Sequence, residues 1–356
     1  MKKNFISIFV SSFLFISSCS IFTDNDKEKI KFIKTFSTHL GSGISLDITY
    51  DNGYIITGYC GDGILLLKTD KKGNEKWCET FGESWVSWGY CVVQTEDDGY
   101  IITGNNNLTE HGLYIVKTDT NGEKEWDLTY EGGSGNAVIQ TNDGGYIVLG
   151  SLSDYPWLIK INRYGFEEWN RIFEYECGGS SIAQTFDEGY IIVGGGLRLI
   201  KTDEQGYEVW NSTISDGYGH EVKQTDDGGY IIAGTSEADG GDVWLVKTDA
   251  LGNREWERTF GGTEFDEGHS VDKTDDGGYI VTGTTRSFIE DSYNIWLIKT
   301  NAIGIEEWNK IFVGVSGYEH GEGRCVRQTN DGGYILTGKI NNQVCLIKTD
   351  DEGNIE

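Results

Sequence analysis

The stretch Gln224–Gly234 reads QTDDGGYIIAG, and near-copies such as KTDDGGYIVTG and QTNDGGYILTG recur along the chain. Aligned on the tyrosine after the turn glycine, the phrase stands at Tyr54, Tyr100, Tyr146, Tyr190, Tyr230, Tyr279 and Tyr334. A threonine lies five residues before each: Thr49, Thr95, Thr141, Thr185, Thr225, Thr274 and Thr329. A glycine lies eleven before each: Gly43, Gly89, Gly135, Gly179, Gly219, Gly268 and Gly323. A lysine recurs in each LIKTD-like segment, at Lys68, Lys117, Lys160, Lys201, Lys247, Lys299 and Lys348. The tyrosines are 40 to 55 residues apart, the period of a four-stranded propeller blade.

Each unit parses into four short strands. In the fifth they are HEVKQT, YIIAGT, VWLVKT and REWERTF. Between the first two, DDGG supplies an aspartate that bonds backbone ahead of it and a glycine that takes positive φ, so the hairpin closes tightly. Between the last two, DALGN does the same. Continuous apolar runs such as YIIAG and VWLVK suit sheets covered on both faces. The 50 glycines, single proline and 13% aromatic content agree with many short strands and aromatic packing. The chain stops at DDEGNIE, before the tryptophan that a fourth strand carries, whereas KFIKTF (Lys31–Phe36) matches EWERTF with Phe32 in the tryptophan place. The expectation is an all-β, seven-bladed β-propeller of four-stranded antiparallel blades over residues 30–356. Its last blade is closed by the N-terminal strand, which removes open edges.

These repeats resemble those of bacterial propellers grouped with the quinoprotein alcohol dehydrogenase-like superfamily. The segment Asp249–Trp256, DALGNREW, is similar to their tryptophan-docking motif, in which the tryptophan packs between blades. The adjacent cysteine pair that stacks on the quinone cofactor in such dehydrogenases is missing, so neither that activity nor a cofactor is expected. The repeat style also resembles the lipoprotein propeller that assists outer-membrane protein assembly.

The first residues have the pattern of a secretory signal: Lys2 and Lys3, an apolar run to Ile16, then small residues. Ile16-Ser17-Ser18-Cys19 resembles the bacterial lipobox, which implies removal of residues 1–18 and acylation of Cys19. Residues 19–29 then form the acylated cysteine and a polar tether. Ser20 in place of an aspartate implies, by the same resemblance, an outer membrane or cell surface. The other six cysteines follow no repeat position and form no CxxC pair, a scatter that reads as mostly buried thiols with room for one bridge.

A net charge of −28 excludes nucleic acid as a partner and electrostatic docking on anionic lipid, leaving acyl chains as the membrane link. No GxSxG, HExxH or Walker pattern is present.

Residues present in every unit read as scaffold, because one site is not built seven times. The two hairpin turns of each unit share one face, and that face is uniform. The opposite face carries loops that vary in length and chemistry, where a rigid scaffold displays function. Directly after the repeated glycine come Ile44, Tyr90, Asn136, Ser180, His220, His269 and Arg324, expected to ring the mouth of the central channel. His220 and His269, with Glu267 and His320 nearby, admit a metal or acid–base site. Polar residues hydrating a channel mouth are the favoured account of them, and no metal or catalytic residue is assigned. Trp85, Trp88, Tyr90, Tyr218, Phe288, Tyr293 and Tyr318 are suited to stacking on sugars or burying against a protein.

The ligand-binding set is therefore Trp85, Trp88, Tyr90, His220, His269, Tyr318 and Arg324. The expected function is that of a lipid-anchored cell-envelope module that binds a protein or glycan without chemistry. The alternative is a polysaccharide hydrolase or lyase using the loop-rich face, since scattered acidic residues permit a paired-carboxylate site.

Overall fold

In the hairpin that follows Gln224, Thr225 donates its hydroxyl to Asp227 at 2.5 Å and the Gly229 N–H donates to the same carboxylate at 3.0 Å. Gly228 closes the turn at φ 84° by donating to the Thr225 carbonyl at 2.9 Å. Lys247, on the third strand, reaches back to Asp227 at 2.8 Å and donates to the Thr248 carbonyl at 2.8 Å. All seven repeat lysines are buried, each paired with its turn aspartate: Asp51, Asp97, Asp143, Asp187, Asp227, Asp276 or Asp331. An ammonium is tolerated in the interior only when paired and hydrogen-bonded in this way. The glycine before each tyrosine leaves room for that ammonium: a Cβ on Gly229 would lie 2.6 Å from Lys247 Nζ.

The computed structural model describes residues 30–82, 87–106, 112–214, 217–237, 240–289, 292–312 and 320–355. The signal segment, Cys19, the tether, Trp85 and Tyr318 lie outside the described residues. The described chain is all-β, with 27 strands in five four-stranded antiparallel sheets and one seven-stranded sheet. Within each four-stranded sheet the strands pair in chain order. The seven-stranded sheet departs from the expected four because one strand, Phe32–Ile48, serves two neighbours. Its first part pairs with Gln343–Thr349 and its second with Tyr54–Cys60. The chain stays extended through an irregularity between Phe36 and Leu40, where other units turn through a loop.

The first strands of successive repeats are Phe32–Ile48, Trp88–Gln94, Gly133–Gln140, Ser181–Gln184, Gly217–Gln224, Asp266–Lys273 and Gly321–Gln328. Each touches the next, and the last touches the first, forming a closed ring around a channel. Second and third strands are almost wholly buried, whereas outer strands such as Arg254–Phe260 expose charged side chains that blunt the sheet edge.

The core lies between neighbours. One cluster joins Ile231, Ala233, Val243 and Leu245 to Val271, Val281, Trp296 and Ile298 of the following sheet. Adjacent sheets also interlock at the rim. Trp210 on an outer strand seats against Gly252 in the next sheet's turn, where a Cβ would meet the indole at 2.7 Å, and tilts onto Tyr230 at 6.0 Å. Phe32 takes the equivalent place: it lies opposite Lys348, as Trp256 lies opposite Lys247, and a Cβ on Gly73 would meet its ring at 2.5 Å. All six described cysteines are free, so the anticipated room for a bridge goes unused among the described residues.

Candidate binding site at the channel mouth

A β-bulge positions the mouth residues. In the strand beginning at Gly217, Gly219 pairs with Gly234 and Glu221 with Ala233, so His220 is the extra residue. The same shift skips Ile44, Tyr90, Asn136, His269 and Arg324 in their sheets. A bulge bends its strand and re-aims the residue it leaves unpaired. The preceding glycine permits the close approach this needs: a Cβ on Gly135 would sit 2.1 Å from Thr103 Oγ1 of the neighbouring sheet. Ser180 reaches the same level just ahead of the short strand Ser181–Gln184.

All seven residues line one cavity of about 430 Å³. Tyr90, His220, His269 and Arg324 of the expected binding set are thus brought together. Trp88 stands beside them at 38% exposure, tilted on Tyr90 at 6.2 Å and stacked on Tyr59 at 4.8 Å with 17° between the planes. Nothing in the sequence marks Tyr59, because it continues a buried strand, YIITGYC. His320 is not part of the histidine group, since its ring lies against Tyr293 at 5.4 Å. Tyr218 and Phe288 are half-exposed, the latter edge-on to Trp296 at 5.2 Å.

The faces sort as the connectivity predicts. Beside the mouth, a hollow of about 680 Å³ is lined by Tyr218, His220, Glu237, Gly241, Phe265 and Glu267, which brings variable loops to this side. Turn residues Asn142, Asp143, Glu204 and Gln205 share a separate hollow with Lys160.

The electrostatics of the mouth are set by burial. Burial, then the Arg324 charge, pushes the His220 imidazole down to about 4, and the same causes hold His269 well below its ordinary range. Both rings are therefore neutral at pH 7. Burial raises the Glu267 carboxyl, with Arg324 opposing. Arg324 donates to Glu322 at 2.6 Å, and Lys339 pairs with Glu322 at 2.8 Å.

Deeper in the channel Arg327 pairs with Glu221 at 3.0 Å, and Ser270 donates to Glu221 at 2.5 Å. Lys223 donates to Asp272 at 2.7 Å. Burial raises the Asp272 carboxyl, but Lys223 and Arg327 outweigh it and leave it below its usual range. These ionic contacts come from three first strands and satisfy one another's charges inside the channel.

The sequence matches no protein-family model and no curated protein. Solved structures share its fold. The WD40 beta propeller domain of Doa1 superposes with a TM-score of 0.63 at 10% identity, covering 90% of this chain and 97% of that one. A protein of unknown function from Bacteroides caccae superposes at 0.53 with 12% identity, covering 72% and 93%. BamB from Moraxella catarrhalis superposes at 0.51 with 14% identity, covering 89% and 84%. At these identities the likeness establishes the β-propeller fold and nothing further.

Proposed function

We propose that the chain is a lipid-anchored, seven-bladed propeller of the cell envelope that binds a protein or glycan at its channel mouth without chemistry. The blade count counts the seven-stranded sheet as two blades sharing Phe32–Ile48. Packing supports that division: Val344 and Leu346 from one half cluster with Leu46, Ile56 and Leu67 from the other, so the halves face each other. Export and anchoring rest on the ISSC tetrapeptide behind its apolar segment. Intact mass of the mature protein tests this: the expected species begins at an acylated Cys19, and an unmodified N-terminus elsewhere rejects the anchor.

The binding function rests on one contrast. Six bulges and one strand start deliver seven residues of six kinds to a single mouth beside a partly exposed Trp88–Tyr59 stack. The opposite face repeats one hydrogen-bonded turn. A partly exposed aromatic pair beside an arginine suits both a sugar ring and a protein anchor. A screen of envelope glycans and envelope proteins against the purified chain identifies the class. Trp88→Ala and Arg324→Ala should each weaken the hit by roughly 2 kcal/mol, about thirtyfold, with little change in Tm. Asp227→Ala should lower Tm and spare the affinity. Loss of binding in a folded Asp227→Ala protein, with Trp88→Ala unaffected, would move the site to the turn face.

A further inference from the structure

One cluster at the mouth has chemistry that glycan or protein binding does not use. His220 and His269 are bulge residues of adjacent first strands, and Glu267 lies two residues before His269. His220 Nε2 is 3.7 Å from one carboxylate oxygen of Glu267, and His269 Nε2 is 3.4 Å from the other. The donor atoms of the three residues all lie within 4.8 Å of one another. Both Nε2 atoms are closed off from solvent, and neither has a hydrogen-bond partner. The His269 side chain is only 7% exposed. A buried polar atom left unpaired is unfavourable, so two converging on one carboxylate point to a shared ligand. The 3.4 and 3.7 Å imidazole–carboxylate separations are close to those of ligands on a shared ion, since metal bonds of about 2.0–2.2 Å at tetrahedral angles place donors roughly 3.3–3.6 Å apart, so a small adjustment lets the three converge.

We propose that His220, His269 and Glu267 form a binding site for a divalent transition metal of the zinc class. Two imidazoles and one carboxylate favour such an ion over calcium or magnesium, which take oxygen ligands. Arg324 is the nearby opposing charge, and its guanidinium is committed to Glu322. The ion draws ligands from two neighbouring sheets, so it ties them together. This site does not depend on the identity, or the existence, of a glycan or protein ligand.

The test uses the full chain, stripped with a chelator and titrated with Zn²⁺ in excess Mg²⁺, which occupies weak acidic sites. One ion per chain should bind with micromolar or tighter Kd and raise Tm on the order of 5 °C at saturation. Co²⁺ should give the intense visible bands of a low-coordinate site. His269→Ala should abolish that signal, and the isosteric Glu267→Gln should weaken Zn²⁺ by at least about tenfold, the scale of lesser ligand-shell changes. His320→Ala, which removes a ring tilted against Tyr293, should bind as the wild type does. No uptake by the wild type, or uptake unchanged in both ligand variants, overturns the site.

Discussion

Tyr230 lies just past its hairpin turn with its ring buried, and six counterparts repeat the arrangement. Burial, then nearby carboxylates such as Asp51 for Tyr100 and Asp187 for Tyr230, pushes these phenols up: to about 12 for Tyr100, Tyr230 and Tyr279, and higher for the others. A raised folded-state pKa contributes stability that is complete below the ordinary value of 10 and is lost as pH rises toward the folded value. Each tyrosine then costs about 1.4 kcal/mol per pH unit, so seven together remove roughly 10 kcal/mol across one unit, comparable to the stability of a whole domain. The expected outcome is cooperative unfolding near pH 11, with tyrosinate absorbance and circular dichroism changing together. Ionisation of the buried tyrosines close to pH 10 in a chain that keeps its strand signal would contradict this.

At the scale of the strand, legibility differs sharply between hairpin and bulge. The hairpins were readable because Asp and Gly between apolar runs satisfy a local requirement, which Asp227 and Gly228 meet as the sequence implies. The bulges left no such mark. His220 and Arg324 look like ordinary strand residues, and only pairing with the next strand reveals that each is extra. Their convergence was legible as a repeat position after a glycine, but the reason for that glycine lies in the neighbouring sheet, as Gly135 against Thr103 shows. The pairing of Arg327 with Glu221 was hidden for a similar reason. EVKQ and CVRQ place half-exposed polar residues next to a buried valine, and nothing local says that they face a channel rather than solvent. Tyr59 against Trp88 likewise depends on two sheets meeting. Sequence period specified the elements; contacts between elements chose which side chains share a site.

For the whole molecule, the decisive contact joins the two ends of the described chain. Phe32 to Phe36 pairs with Val344 to Lys348, and Phe32 supplies the ring that tryptophans supply elsewhere. Phe36 is buried in the cluster that includes Val344 and Leu346, and Phe32 packs against it. This strand covers the outer side of Gln343–Thr349, whose residues are almost all buried. Deleting residues 30–36 would therefore strip the rim packing at Gly73 and expose an apolar, unpaired strand edge, a template for association between chains. A synthetic peptide spanning residues 30–36 should re-pair with the exposed edge, since main-chain hydrogen bonds and alternate side-chain pockets carry strand addition. The truncated chain should aggregate or melt well below the full chain, and excess peptide should restore part of the lost Tm. A peptide with Phe32 and Phe36 replaced by serine should restore less. A truncated chain that stays monomeric and melts cooperatively at the full-length temperature would show that the ring does not depend on this strand, and the proposed closure would fail.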